Sequence, residues 1–290
     1  MTTFLALRKF FLVSTLIATG ALALAACGGS NQPTVKQVDH AKPAESSVVN
    51  ATVILKHSPS GTADLKWDPA THVLTVKLAL TGLAPKSVHP VDIAGGDCRS
   101  AGKKLYTLDN VVADEAGVVT VTSTVKNVVD GIPTNGWYVN VHNGPALSSD
   151  AQSLAIACGN VVSANPAVKV AQSAQSELTN AFSPNEASAG VVQLTLSGNI
   201  LTVKLAMSGL EPNSNHMAHI HQGNCASQGK VIYALNALKA DATGNAVSTT
   251  TITGVKTVAS NWYVNVHMST DVSTQQGNNP VVCGEVNIVQ

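Results

Sequence analysis

The sequence predicts an all-β protein in which short strands, joined by Greek-key connections, form a β-sandwich or barrel. Val, Thr, Ala and Ser are abundant and aromatic residues make up only 4% of the chain, a composition that favours strands over amphipathic helices. Apolar residues alternate with polar or small ones in segments such as 201–208, as in a strand with one buried face. Turn-forming residues at 197–199 and 241–245 separate such segments.

The chain repeats its own sequence, which predicts two tandem domains. Residues 74–85 match 201–212 at an offset of 201 − 74 = 127 positions, and 137–142 match 262–267 at an offset of 262 − 137 = 125. Each copy is long enough to bury a core of its own. The predicted segments are a first repeat (48–162), a linker (163–175) and a second repeat (176–290).

The N-terminus has the form of a secretory signal peptide, predicted for residues 1–26. Arg8 and Lys9 precede an apolar stretch that is too short for an ordinary membrane span. The stretch ends in Leu-Ala-Ala-Cys27-Gly, which resembles the bacterial lipobox, where the cysteine becomes the mature N-terminus and carries the lipid. A lipidated Cys27 and a flexible tether are therefore predicted for 27–47, with a soluble secreted protein as the alternative. The expected location is extracytoplasmic, lipid-anchored to the bacterial cell membrane.

The charge balance gives no sign of a polyanionic partner. The 17 basic and 17 acidic residues cancel, and only 12% of the chain is charged. We therefore expect no nucleic acid partner, and we expect the membrane to be reached only through the lipid anchor.

Four cysteines besides the lipidated one fall into two pairs, one in each repeat. Cys98 and Cys158 are 158 − 98 = 60 positions apart, and Cys225 and Cys283 are 283 − 225 = 58 positions apart. An even number of cysteines in an exported chain indicates disulfides, and the symmetry of the repeats favours pairing within each copy. Thiolate metal binding is the alternative, although the chain has no Cys-x-x-Cys.

Three histidines of the second repeat are candidate metal ligands. His219 and His221 are one residue apart, so that on an extended strand both imidazoles project from the same face. His267 ends a later apolar segment, and imidazole nitrogen suits copper or zinc. The alternative is that isolated histidines here pack in the core or face solvent.

The same region resembles a known family. The run Gly209-Leu-Glu-Pro212 followed by His216-Met-Ala-His219-Ile-His221 and Cys225 resembles the copper/zinc superoxide dismutase pattern Gly-Leu-x-Pro-Gly-x-His-Gly-Phe-His-Val-His and its disulfide cysteine. Residues 263–267 resemble the family's later Val-Val-His segment, and 283–288 resemble its closing strand. CHRD domains share much of this outline. The resemblance implies two tandem superoxide dismutase-like domains.

The resemblance also implies roles for single residues. His219, His221 and His267 match copper ligands, so one copper ion is expected in repeat 2. His216 matches a buried histidine that does not touch the metal and ties the ligand strand to the loop beyond it. The cysteines of repeat 2 match the disulfide that pins the ligand-bearing loop to the last strand.

Departures from the family pattern leave the function open. Residues 226–266 contain no histidine, so the zinc ligands and the bridging histidine are missing and zinc is not expected. Pro280 stands where the family has the arginine that guides superoxide. Three functions are consistent with the sequence: copper binding or handling, copper-only superoxide dismutase activity, and a metal-free envelope adhesion or binding module.

Repeat 1 has lost the histidine pair. In the aligned positions it has Asp92 and Ala94, while His89 and His142 persist. One imidazole and one carboxylate would hold a metal only weakly. We predict that repeat 1 is a structural or partner-binding copy.

Overall fold

The structure, a computed structural model, describes residues 48–289 apart from 166, 168, 182 and 183. The signal peptide, the lipidated Cys27 and the tether predicted for residues 1–47 lie outside the described residues. The all-β prediction is confirmed, because strands dominate both repeats and each helix has only four residues. Within the described part of the chain, no helix is long and apolar enough to cross a bilayer.

Strands of the first repeat alternate buried and exposed positions, as the sequence pattern predicts. In the third strand Leu74, Val76, Leu78 and Leu80 are buried, while Lys77 between them is exposed. The elements of this repeat are β1 (Val48–His57), β2 (Ser60–Asp68), β3 (Val73–Thr81), β4 (Val88–His89), β5 (Val91–Gly95), β6 (Lys104–Thr107), β7 (Val111–Val112), β8 (Val119–Val125), β9 (Trp137–His142), α1 (Asp150–Ser153) and β10 (Ala155–Val161).

The second repeat has the same succession of elements and one additional strand at its end. They are β11 (Gln172–Thr179), β12 (Ala189–Ser197), β13 (Ile200–Ser208), β14 (Asn215–His216), β15 (Ala218–Gln222), β16 (Val231–Ala234), β17 (Leu238–Lys239), β18 (Ala246–Thr253), β19 (Trp262–His267), α2 (Gln275–Asn278), β20 (Pro280–Glu285) and β21 (Asn287–Val289).

Two large sheets contain most of these strands, and each repeat gives its first strand to the other repeat's sheet. The first sheet has the order β6-β5-β9-β10-β11-β2-β3-β8, and the second has the order β16-β15-β19-β20-β1-β12-β13-β18, with β21 beside β1. Strand β1 pairs antiparallel with β12 and β20, whereas β11 pairs with β2 and β10. The two short pairs β4–β7 and β14–β17 lie outside these sheets.

This exchange means that the sheets do not follow the continuous ranges 48–162 and 176–290 expected from the repeats. The expected linker 163–175 also contains the start of β11, at Gln172. A physical reason lies in the connection between β1 and β2, which is only Ser58-Pro59. A two-residue hairpin loop needs a positive φ at its first position, which serine before proline disfavours. Strand β1 therefore does not fold back onto β2, and it pairs with strands of the other sheet.

The two crossing connections touch each other. The side chain of Asn180, which follows β11, donates from Nδ2 to the carbonyl of Ser58 at 2.8 Å and to the carbonyl of Val281 at 2.6 Å. Asn180 and Ser58 are both buried. All described residues belong to one compact unit of the chain, as the exchange of strands requires.

Each large sheet curves over its own hydrophobic core as a β-sandwich. The second core joins Ile220, Val264 and Val266 from one half of the sheet to Val203 and Leu205 from the other half. The first core is built in the same way around the strands of the first sheet. Burying one such aliphatic side chain stabilises the fold by about 1.5 to 3 kcal/mol.

The two disulfides form within the repeats, as predicted. Cys98 bonds to Cys158 and Cys225 bonds to Cys283, each with 5.8 Å between the Cα atoms. In the chain-entropy account, closing loops of this length stabilises the fold by about 4 kcal/mol each, because it restricts the unfolded chain.

Candidate metal centre

The three candidate histidines lie on the outer face of the second sheet. Strand β15 pairs with β19, which places His219 opposite Asn265 and His221 opposite Tyr263. Because side chains alternate along a strand, Ile220 between the two histidines points into the core. His267 ends β19 at a register shift against β20, and such irregularities re-aim a side chain.

The structure brings these imidazoles together, with one ring nitrogen from each within 4.8 Å of the others. His219 Nδ1 is 3.0 Å from His267 Nε2. The ring centroids of His219 lie 5.0 Å from His267 and 5.7 Å from His221. Among the residues that the structure describes, this is the one cluster of His, Cys, Asp or Glu side chains with metal-ligand spacing.

Backbone carbonyls set the proton position on two of the rings. His221 donates from Nδ1 to the carbonyl of Gly229 at 3.0 Å, and His267 donates from Nδ1 to the carbonyl of Asn278 at 2.6 Å. In the neutral rings the lone pair is then on Nε2. The Nε2 atom of His221 is buried and has no hydrogen-bond partner. The lone pairs of His221 and His267 are therefore on Nε2, and the ring nitrogen of His219 that faces His267 is Nδ1.

Burial keeps these rings neutral. It lowers the pKa of His267 to about 4, and it also lowers the pKa of His219 and of His221. A neutral imidazole is the form that binds a metal. His221 and His267 are only 6% and 2% exposed, whereas His219 is partly exposed and gives the cluster access to solvent.

His216 lies beside the cluster and contacts its backbone. It donates from Nδ1 to the carbonyl of His267 at 2.8 Å, and its Nε2 lies 2.7 Å from Ser214 Oγ. Burial lowers the pKa of His216, so the neutral ring carries its proton on Nδ1, where it donates to the carbonyl of His267. His216 thus holds the backbone of His267 in place.

Tyr263 supports His221 in a way that the sequence did not indicate. The two rings stack with centroids 4.8 Å apart and planes 20° apart. The Tyr263 hydroxyl accepts from the N–H of Gly229 at 3.2 Å. Burial raises the pKa of Tyr263 to about 12, so the hydroxyl stays neutral. Gly229 is therefore fixed by Tyr263 on one side while its carbonyl orients His221 on the other.

The loops that supply the two orienting carbonyls rest on repeat 1. Gln228, in the first loop, donates from its backbone N–H to the carbonyl of Ala116 at 2.7 Å and from Nε2 to the carbonyl of Gly82 at 2.9 Å. In the second loop, Asn279 donates from Nδ2 to the carbonyl of Asn143 at 3.0 Å. Repeat 1 thus buttresses the cluster from two directions.

The corresponding place in repeat 1 holds an ion pair. Asp92 occupies the position of the first ligand-strand histidine, and its Oδ2 lies 2.8 Å from His142 Nε2. His142 donates from Nδ1 to the carbonyl of Ser153 at 2.8 Å. Burial lowers the pKa of His142, but the bonds to Asp92 and Ser153 outweigh this and raise it overall. The side chain at the second histidine position, Ala94, offers no donor atom.

His89 has the same place in repeat 1 as the buried non-cluster histidine of repeat 2. It donates from Nδ1 to the carbonyl of His142 at 2.7 Å and lies 2.6 Å from Ser87 Oγ through Nε2. Burial lowers the pKa of His89 to about 4. Both repeats therefore keep this support, although only repeat 2 keeps the cluster.

Residues 173–273 match the CHRD domain. The match contains all three clustered histidines, so the candidate centre lies inside the CHRD segment, while β1 and β20, which complete its sheet, lie outside it. A comparison of the chain with curated proteins gives no significant match.

Proposed function

We propose that this protein is a cell-envelope lipoprotein whose second repeat, a superoxide dismutase-like domain, binds one copper ion through His219, His221 and His267. The observation that carries the proposal is the convergence of three imidazole nitrogens, with the Nε2 of His221 buried and unpaired. A buried polar atom without a partner costs about 1 to 3 kcal/mol, and a bound cation would remove this cost.

The donor set favours copper over other metals. Imidazole suits copper and zinc, and at a given nitrogen site divalent copper binds more tightly than zinc. Structural zinc sites are nearly always closed by four protein ligands, whereas this cluster offers three and opens at His219. Zinc is therefore not proposed.

Before copper binds, Nδ1 of His219 carries a proton that must leave this atom. In the neutral triad His267 carries its proton on Nδ1, so the short contact with His219 has the Nδ1–H of His219 as donor. To ligate through Nδ1, His219 must change to the tautomer protonated on Nε2. That atom belongs to the partly exposed ring, so the change needs no rearrangement of the two buried ligands.

The proposed location rests on the lipobox-like N-terminus and is consistent with the disulfides, which are stable in oxidising compartments. At the outer face of a membrane, a copper site with a solvent-facing ligand suits binding, buffering or transfer of the ion. Superoxide dismutase activity is the second candidate function, favoured by the same solvent-facing side. The Pro280 position and the missing bridging histidine weigh against it.

The test is titration of the purified protein with Cu(II), followed by EPR. We expect one nitrogen-ligated copper per chain, and we expect the double variant His219→Ala/His221→Ala to lose this signal completely. The matched variant Asp92→Ala, in the same register of repeat 1, should leave the signal unchanged. Absence of a nitrogen-ligated species in the unaltered protein would refute copper binding and leave the metal-free binding module. Superoxide-decay kinetics on the copper-loaded protein then separate a binder from an enzyme.

A further inference from the structure

A buried asparagine beside the histidines has no partner for its side chain. Asn265 is 0% exposed, and neither its Nδ2 nor its Oδ1 makes a hydrogen bond. Two unsatisfied polar atoms at one fully buried side chain are costly, since each loses its hydrogen bonds to water. Such a side chain is expected to have a partner when the protein is functional.

The register places Asn265 at the cluster. It lies directly opposite His219 on the neighbouring strand and two residues before His267, so all three side chains project from the same face. Side chains directly opposite in an antiparallel pair have Cβ atoms about 4.5 to 5.5 Å apart. On its other side Asn265 is opposite Cys283, whose sulfur is in a disulfide and offers only a weak acceptor.

Repeat 1 shows how far a carboxamide reaches from this position. Asn140 is the equivalent residue, opposite Asp92, and its Nδ2 lies 3.3 Å from His142 Nε2. His142 is equivalent to His267, so its Nε2 corresponds to the atom through which His267 would ligate a metal. A carboxamide in this register therefore comes to the end of the rings at which a metal would be held.

We propose that Asn265 is a positioning residue of the metal centre, whose amide N–H donates a hydrogen bond to the non-protein ligand, a water or small anion, that completes the coordination of the copper. This rests on the proposed copper binding. Three imidazoles leave at least one coordination position open. The amide has two N–H donors and no partner to give up. A neutral donor also favours an anion without adding a charge to the buried site.

The test uses the copper-loaded full chain, with azide as the small-anion probe. We compare the unaltered protein with Asn265→Leu, which removes both polar atoms at similar volume, and with Asn265→Asp, which keeps the shape and replaces the donors by acceptors. Both variants should keep the three-nitrogen EPR signal of copper. Both should bind azide about tenfold or more weakly, as expected when one hydrogen bond to a charged ligand is lost. Asn140→Leu should bind azide like the unaltered protein.

A second measurement separates this role from a structural one. The metal-free Asn265→Leu protein should unfold at the same temperature as the unaltered protein or higher, because leucine removes two unsatisfied polar atoms. A clear fall in its unfolding temperature together with unchanged azide affinity would show a structural role and overturn the proposal. If Asn265→Leu does not fold, the azide affinity of Asn265→Asp decides. Failure of the unaltered protein to bind copper would refute the proposed function, whereas copper binding with equal azide affinity in all variants would refute only the role of Asn265.

Discussion

Repeats 1 and 2 place the same strands, the same disulfide and the same buried histidine around two different centres. In repeat 2 three neutral imidazoles face one another, whereas in repeat 1 Asp92 and His142 form an ion pair. The carboxylate in repeat 1 satisfies the late histidine from within the protein. The difference lies in the side chains and not in the fold: repeat 2 brings three imidazoles together, whereas repeat 1 pairs its late histidine with a carboxylate.

The largest expected effect comes from building a second histidine cluster in repeat 1, which would remove the difference between the two repeats. The double variant Asp92→His/Ala94→His restores both ligand positions next to His142, and we expect the copper content to rise from one to two ions per chain. The hydroxyl of Tyr138 accepts from the N–H of Gly102 at 3.3 Å. The loop after β5 is therefore held in the same way as the loop after β15, where Tyr263 accepts from Gly229. Metal analysis after dialysis measures the change, with Asp92→Asn/Ala94→Ser as a control that adds no imidazole. A second ion bound by the control, or none bound by the histidine variant, would contradict the comparison.

A smaller effect is expected from loosening the ion pair. In Asp92→Asn the partner that raises the pKa of His142 is lost. A raised folded-state pKa stabilises the protein below the unfolded value of about 6.5 and ceases to do so as the pH rises through the folded value. The variant should therefore lose about 1 to 3 kcal/mol of unfolding free energy near pH 6 and less near pH 9.

Urea unfolding of Asp92→Asn at the two pH values checks this, and an NMR titration should show that the pKa of His142 has fallen. A loss of stability that grows with pH would show that the pair is not ionised in the folded protein.

The smallest effect concerns the support that repeat 1 gives to repeat 2. Gln228→Ala removes the side-chain bond to Gly82, next to the carbonyl that orients His221. Outer contacts of this kind typically cost about 10- to 100-fold in metal affinity when they hold a ligand directly. Gln228 acts one residue further away, so we expect a loss of about tenfold or less. Competition with a chelator measures it, and Lys230→Ala serves as a control in the same loop. Equal affinities would mean that the bond from Gln228 to Gly82 has no part in positioning His221.

Much of this arrangement could be predicted from the sequence. The repeats, the disulfide pairing and the shared face of His219 and His221 follow from offsets and from the alternation of a strand. The exchange of β1 and β11 could not be predicted, because both strands alternate in the same way and either sheet would accept either strand. The orienting role of the Gly229 and Asn278 carbonyls could not be predicted either, because every residue has a backbone acceptor and the sequence does not mark which ones are used.

The role proposed for Asn265 has a signal in the sequence. The segment Trp-Tyr-Val-Asn-Val-His occurs in both repeats, and an asparagine two residues before a candidate ligand on one strand shares its face. The alternation that identified the histidine pair would have identified this residue as well. It was overlooked because an amide is a far weaker indicator of a metal site than an imidazole.

The exchanged strand also decides which part of the molecule is loaded when the N-terminus is pulled. The described chain begins with β1, which is hydrogen-bonded to β12 and β20 of the second sheet, and β20 lies next to the strand that carries His267. Tension applied ahead of Val48 would reach the sheet of the C-terminal repeat before it reached the rest of repeat 1. The C-terminal repeat would therefore be loaded before the rest of the N-terminal one. A tether at this end would be attached to the sheet that carries the histidine cluster.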